Sequence, residues 1–224
     1  IKNGSLFGNL RLIGPIQDPD FSGELAIENF IFSSLVFADE IGPIQGPLAL
    51  EGKTIRLNQL TTSSANKRIW LDASLVFDHW NVSRLTSSFR VTEQPGLYLT
   101  LPIQDFQIEG YVTSPSFSLN WEDSGLAFTG SLAVQRCTLV WSPTDKPQTS
   151  SEVQDDFNYV VDLTITLGKQ VEFLWPIRQL PVLRLTAKPG SELKLRYNKL
   201  QNLFSLSGDI NISSGSVYYV ERDF

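Results

Sequence analysis

The sequence predicts an all-β fold: a long, curved, antiparallel or mixed sheet with one apolar face along its length. Three observations predict it. Apolar and polar residues alternate with a period of two, turn-forming residues punctuate the alternation, and a short phrase built around glycine recurs. No stretch longer than two turns carries a 3.6-residue period, so little helix is expected.

The alternation is plain in Tyr159, Val161, Leu163, Ile165 and Leu167, interleaved with Val160, Asp162, Thr164 and Thr166. Ile69, Leu71, Ala73, Leu75 and Phe77 repeat it, as do Val171, Phe173 and Trp175. Successive side chains of a strand point to opposite faces, so each run makes one apolar face and one mostly polar face. Breakers stand where the chain must reverse: Asp18-Pro19-Asp20, Gln94-Pro95-Gly96, Lys188-Pro189-Gly190 and Tyr197-Asn198-Lys199 are read as hairpin turns. The polar segment Ser142 to Asp156 is too hydrophilic to pack and is expected as a surface loop. The same strand pattern resumes after it, so residues 1–224 are read as one repetitive domain.

The recurring phrase is apolar-x-Gly-x-apolar-x-apolar. It stands at Leu6–Leu12, Phe21–Ile27, Ile44–Leu50, Phe128–Val134 and Leu206–Ile212, with a weaker copy from Ile108 through Gly110 to Val112. Three longer segments, Phe21–Phe32, Phe128–Trp141 and Leu206–Tyr219, share a strand, a short polar break and a second apolar strand. Self-similarity at steps of about twenty residues marks a repeat architecture in which neighbours bury a shared face. The glycine has the parity of the apolar face in every copy. A glycine inside a strand weakens it, so curvature of the sheet, packing by adjacent aromatics and a ligand notch are the candidate reasons. Pro47 removes a ladder hydrogen bond, so its strand should begin there or carry a bulge.

Parity assigns the apolar wall. It comprises Leu10 and Leu12, then Phe21, Leu25 and Ile27, then Leu48 and Leu50, then Leu71, Leu75 and Phe77. It continues through Ile108 and Val112, Phe128, Leu132 and Val134, Leu163 and Ile165, and ends in Leu206, Ile210, Ile212 and Val217. About a dozen strands at ~4.8 Å spacing would make a sheet ~60 Å long. An apolar face of that size must curl on itself, take a second layer, or hold apolar ligand.

Composition narrows the function. Eighteen Lys and Arg stand against 24 Asp and Glu, a formal charge of -6, with no basic run to displace counterions from phosphates, so nucleic-acid binding is excluded. A hydrophobic content of 42% argues against disorder. Cys137 is the only cysteine, which rules out an internal disulfide or a cysteine metal site and reads as a small packing residue. His79, beside Trp80, is the only histidine and reads as a strand-end residue on the apolar parity; one histidine supplies no zinc site. Asp155-Asp156 lacks calcium-ligand spacing and reads as solvated charge. Glu24, Glu51 and Asp209 occupy polar strand positions near turns, with no sign that they converge as a catalytic pair. No catalytic, metal or cofactor residues are assigned, and the chain is read as non-enzymatic. Asn81-Val82-Ser83 and Asn211-Ile212-Ser213 match a glycosylation acceptor triplet that also arises by chance. Trp70, Trp80, Trp121, Trp141 and Trp175 could stack sugars, though packing of amphipathic rings accounts for them as well.

The segment Gly8–Asn29, the phrase Gln170–Pro176 (QVEFLWP) and the closing LSGDINISSGSVYYVERDF resemble the C-terminal region of TamB-type proteins, within the AsmA-like group of bacterial envelope proteins. The resemblance covers most of the chain in pattern and leaves the Ser142–Asp156 loop outside. It implies an open taco-like groove with an apolar interior, in which the wall residues above line a lipid path. It implies phospholipid transport between inner and outer membranes and assembly of outer-membrane proteins, within a translocation and assembly module. Phospholipid acyl chains and an outer-membrane β-barrel assembly protein of the TamA or BamA type are the implied partners. The implied place is the periplasm, with an inner-membrane anchor in an N-terminal segment outside this chain; the absence of methionine, even at Ile1, fits a piece of a longer polypeptide. Two other readings stay open. An outer-membrane β-barrel also alternates and often ends in Phe, although Arg222 interrupts the alternation before Phe224. A secreted β-sandwich or β-helix binding carbohydrate or a protein partner is the other.

Overall fold

Strand-forming runs become strands wherever their backbone finds a neighbouring strand to pair with. The computed structural model describes residues 3–33, 39–64, 67–103, 106–122, 125–142 and 158–218. The expected loop from 142 to 156 lies outside these apart from Ser142, as do Asp155-Asp156, Arg222 and Phe224. No helix long and apolar enough to cross a membrane occurs among the described residues.

The strands are β1 (Asn3–Ile13), β2 (Asp20–Phe32), β3 (Ile41–Gly52), β4 (Thr54–Ser64), β5 (Lys67–Asp78), β6 (Asn81–Val91), β7 (Leu97–Ile103) and β8 (Phe106–Glu122). They continue as β9 (Gly125–Trp141), β10 (Tyr159–Leu167), β11 (Val171–Trp175), β12 (Leu183–Ala187), β13 (Glu192–Asn198), β14 (Leu203–Asp209) and β15 (Ile212–Val217). All belong to one mixed sheet, so the all-β expectation holds and the mixed alternative is the one realised. The main path runs β1-β2-β3-β4-β5-β6-β8-β9-β10-β13-β14, with β7 on β8, β11 between β9 and β12, and β15 on β12. β9 pairs in parallel with both β10 and β11, and every other pairing is antiparallel. Among the described residues the main path has ends at β1 and β14 and does not close on itself.

The sheet forks at the two 17-residue strands β8 and β9. The half of β8 from Ser114 to Trp121 pairs with β6, and its Phe106–Val112 half pairs with β7. β9 likewise gives residues 126–134 to β10 and residues 137–140 to β11. A first branch thus holds β1–β6, β10, β13 and β14, and a second holds β7, β11, β12 and β15. The crease between them is written in irregular backbone. Register shifts fall between Ile27 and Phe30, Gln45 and Leu48, and Leu57 and Leu60 on β2, β3 and β4, and between Phe89 and Val91, and Thr113 and Ser116, on β6 and β8, with β5 regular between the two groups at that level. Pro47 lies in one of these shifts, as its missing N–H demands. Asn29 and Arg136 take positive φ there, at 55° and 46°.

The crease revises two sequence readings. Gln94-Pro95-Gly96 and Lys188-Pro189-Gly190 are not hairpin turns: β6 does not pair with β7, nor β12 with β13. Each carries the chain round the corner from one branch to the other. The polar breaks in Phe21–Phe32 and Phe128–Trp141 are bends within the single strands β2 and β9, whereas in Leu206–Tyr219 the break separates β14 from β15. Backbone bonds tie the corner segments together: Gly168 N–H donates to Val134 O at 2.7 Å, Cys137 N–H to Gln170 O at 3.0 Å, and Lys188 N–H to Asn211 O at 2.7 Å.

The core follows this line. Val134, Leu167 and Leu193 from the first branch pack with Leu97, Val112, Cys137, Val171 and Ala187 from the second, and with Ile69 and Val91. Burial of apolar surface on both sides of a bend is what holds a single sheet folded.

Candidate functional site

The paired strands settle which side chains share a face. Leu12 pairs with Phe21, Leu10 with Gly23 and Gly8 with Leu25, and β2 hands the face on through Gly23–Leu50 and Leu25–Leu48. It crosses to Leu57 and Ile55, to Leu75, then to Leu85 and Trp121. From β8 it passes through Leu119–Phe128 to Val161, and through Phe117–Gly130 to Leu163. It ends through Leu163–Leu195 and Leu195–Leu206. One apolar face is therefore continuous in register from β1 to β14.

Burial divides this face in two. At the β1 end Leu10 and Leu12 are half exposed, at 52% and 51%, while Phe21, Leu48 and Leu50 are buried. At the β14 end the branches approach and form a cleft. Leu99, Ile108, Cys137 and Leu139 line it from β7 to β9, and Leu132, Val134, Leu163, Ile165, Leu167, Leu193, Leu195, Phe204 and Leu206 line it from the other side. The lining has no polar side chain. Its volume is about 70 Å³, the space of a few waters, so an acyl chain enters only if the branches part.

Of the wall residues assigned from parity, Ile108, Leu132, Val134, Leu163, Ile165 and Leu206 meet in the cleft. Val112 is buried in the adjoining core and Ile210 packs against it. Phe21, Leu25, Ile27, Leu48, Leu50, Leu71, Leu75 and Phe128 lie on the same face outside the cleft. Phe77 follows a register shift and packs edge-on against Phe21 at 5.4 Å. Ile212 and Val217 belong to the second branch and are exposed. The parity reading missed Leu193 and Leu195, although Glu192, Lys194 and Arg196 frame them in strict alternation. It also missed Leu99 and Leu139, whose place depends on the fold at the crease.

Cys137 is buried in the cleft wall, and loss of solvation pushes its thiol up to about 12, so it stays protonated. His79 sits in an exposed turn with φ 48°, and its Nδ1 lies 2.7 Å from Asp78 Oδ1. Asp18 completes a group whose ligand atoms lie within 4.8 Å of one another, which the sequence separates by sixty residues. The Lys53 ammonium bonds the Asp18 carboxylate and the Asp18 and Pro19 carbonyls, so this corner carries its own cation. The hydrogen bond from Lys53 holds the Asp18 carboxyl below its usual range. Glu24 and Glu51 lie on β2 and β3, while Asp209 ends β14 across the sheet, so these carboxylates do not converge.

The tryptophans form no common platform. Trp70 lies under Arg68 and Arg90, Trp80 donates its indole N–H to Ile16 O at 2.7 Å, and Trp141 pairs with Trp175 at 6.4 Å. The polar face of the sheet carries a shallow depression of about 270 Å³, lined among others by Arg56, Asp72, Thr86, Ser88 and Asn120. No family model, curated protein or solved structure matches this chain.

Proposed function

We propose that the chain is a segment of a periplasm-spanning scaffold whose folded sheet forms an open apolar groove for phospholipid acyl chains. The observation that carries this reading is the apolar face continuous in register from β1 to β14, which runs into a cleft lined without polar side chains. Each methylene transferred from water to such a wall is worth ~0.8 kcal/mol. Head groups stay in water above the half-exposed rim at Leu10, Leu12 and Leu206. The resemblance to TamB-type proteins adds the setting: transport between inner and outer membranes, or assembly of outer-membrane proteins beside a β-barrel partner. The role requires no catalytic group.

A photo-crosslinking side chain tests it. Placed at Leu132, Leu206 or Ile27, it should capture phospholipid in cells. Placed at Thr129 or Arg196, which lie on the opposite face by register, it should not. Equal labelling of both faces, or no lipid on either, overturns the reading. Native mass spectrometry of the purified chain gives an independent check through co-purified lipid.

A further inference from the structure

The polar face of the sheet changes character along its length. On β13 it follows the usual rule for a face in water, with Glu192, Lys194 and Arg196 in succession. On β5, β6, β8 and β9 the same face carries short hydroxyl and amide side chains instead. Strand pairing lines these up in rows that cross the strands. Asp72, Ser88, Ser118, Thr129, Asp162 and Arg196 form one row from β5 to β13. Ser74, Thr86 and Asn120 form a second row beside it on β5, β6 and β8. With Arg56 and Asn58 from β4, the two rows line the depression of about 270 Å³. Ser74, Thr86, Ser118 and Asn120 are half-buried there, and Ser88 is exposed. Among the described residues, none of these five side chains has a hydrogen-bond partner within the protein.

We propose that this depression binds an uncharged glycan, an extended and equatorially linked hexose chain laid across the strands. Serine and threonine hydroxyls and the asparagine amide both donate and accept, which is what the hydroxyls of a sugar require. These side chains are short, so little rotamer freedom is lost when a ligand holds them. The spacing fits as well. Neighbouring strands lie ~4.8 Å apart, close to the advance per residue of such a chain, so successive hexoses meet successive strands in the same way. The longer row crosses five strand intervals, about 24 Å in all, which is room for a short oligosaccharide. Charge favours the same ligand. Three bordering arginines are matched by carboxylates: Arg56 by Glu51 at 3.3 Å, Arg84 by Glu122 at 2.9 Å and Arg196 by Asp162 at 3.3 Å. Arg90, in the next row, lies over the Trp70 ring at 5.3 Å. A surface whose charges cancel complements an uncharged chain and gives a polyanion no net attraction. The site lies on the face opposite the apolar wall, so it does not depend on what that wall carries.

Calorimetric titration of the whole chain with cellohexaose tests the proposal. Maltohexaose, whose axial links curve the chain, is the counterpart. Cellohexaose should bind, and maltohexaose should bind about tenfold more weakly or not at all. Ser88→Ala/Ser118→Ala removes two hydroxyls without adding bulk and should weaken cellohexaose about tenfold. Ser118→Arg fills the floor of the depression and should abolish binding. Glu192→Gln, on the same face of β13 but four residues from Arg196, should bind as the unaltered chain does. Absence of cellohexaose binding, equal affinity for the two hexaoses, or unchanged affinity in Ser88→Ala/Ser118→Ala would overturn the proposal. So would tighter binding of polygalacturonate than of cellohexaose.

Discussion

Replacing Gly130 by alanine tests why the repeat carries a glycine. Gly130 has φ 145°, and a Cβ there would sit 2.8 Å from Phe117 Cα and closer still to Ser116 O. Both obstacles are backbone of β8, held in the ladder on both edges, so neither can swing away. A non-glycine residue in this region of φ/ψ costs about 1–3 kcal/mol. Overpacking adds about 1–3 kcal/mol, and the stiffer unfolded chain returns about 0.4–1 kcal/mol. The net loss is roughly 2–5 kcal/mol, a fall in Tm of about 4–20 °C for a domain of this size. Gly52→Ala separates the two causes, since Gly52 has φ 59° but nothing within 4 Å of a Cβ. It should lose only about 1–2 kcal/mol, the left-handed conformational cost. Urea titration followed by tryptophan fluorescence measures both against Thr129→Ala, an exposed neighbour expected within about 0.5 kcal/mol of wild type. If Gly130→Ala proves as stable as Thr129→Ala, close strand approach is not the reason for the glycine.

Leu167, 1% exposed at the crease, should cost about 2–5 kcal/mol when changed to alanine, whereas Leu200, 79% exposed, should cost almost nothing by the same titration. Cys137 should resist alkylation at pH 8 in the folded protein and react at once in denaturant, read by mass spectrometry, because its thiol is buried and held up to about 12. Asp18 has its folded pKa below 3.8 and Lys53 above 10.5, so the stability from their contact is whole between those values. It is lost as pH falls through the folded value of Asp18 or rises through that of Lys53. The stability difference between wild type and Lys53→Gln should therefore be flat across neutral pH and vanish in acid.

What the residues alone determined is local. Strict alternation in Leu163–Ile165 and Leu48–Leu50 dictates one apolar face, because a strand offers only two directions to its side chains. The same pattern predicted little helix, as the all-strand fold shows. The glycine's presence on that face was legible too, but its reason was not, since the obstructing carbonyl of Ser116 belongs to another strand. Only the tertiary structure decided where the sheet bends. Pro95 and Pro189 look like hairpin prolines in sequence, yet they round the crease, because whether two strands pair depends on partners such as β8 and β13 that lie elsewhere in the chain. The same non-local pairing brought Leu99 and Leu139 against Leu193 and Leu195, and joined Asp18 to His79. Periodicity states which way a side chain points; what it meets there is set by contacts between distant segments, and those are made only when the sheet closes on its crease.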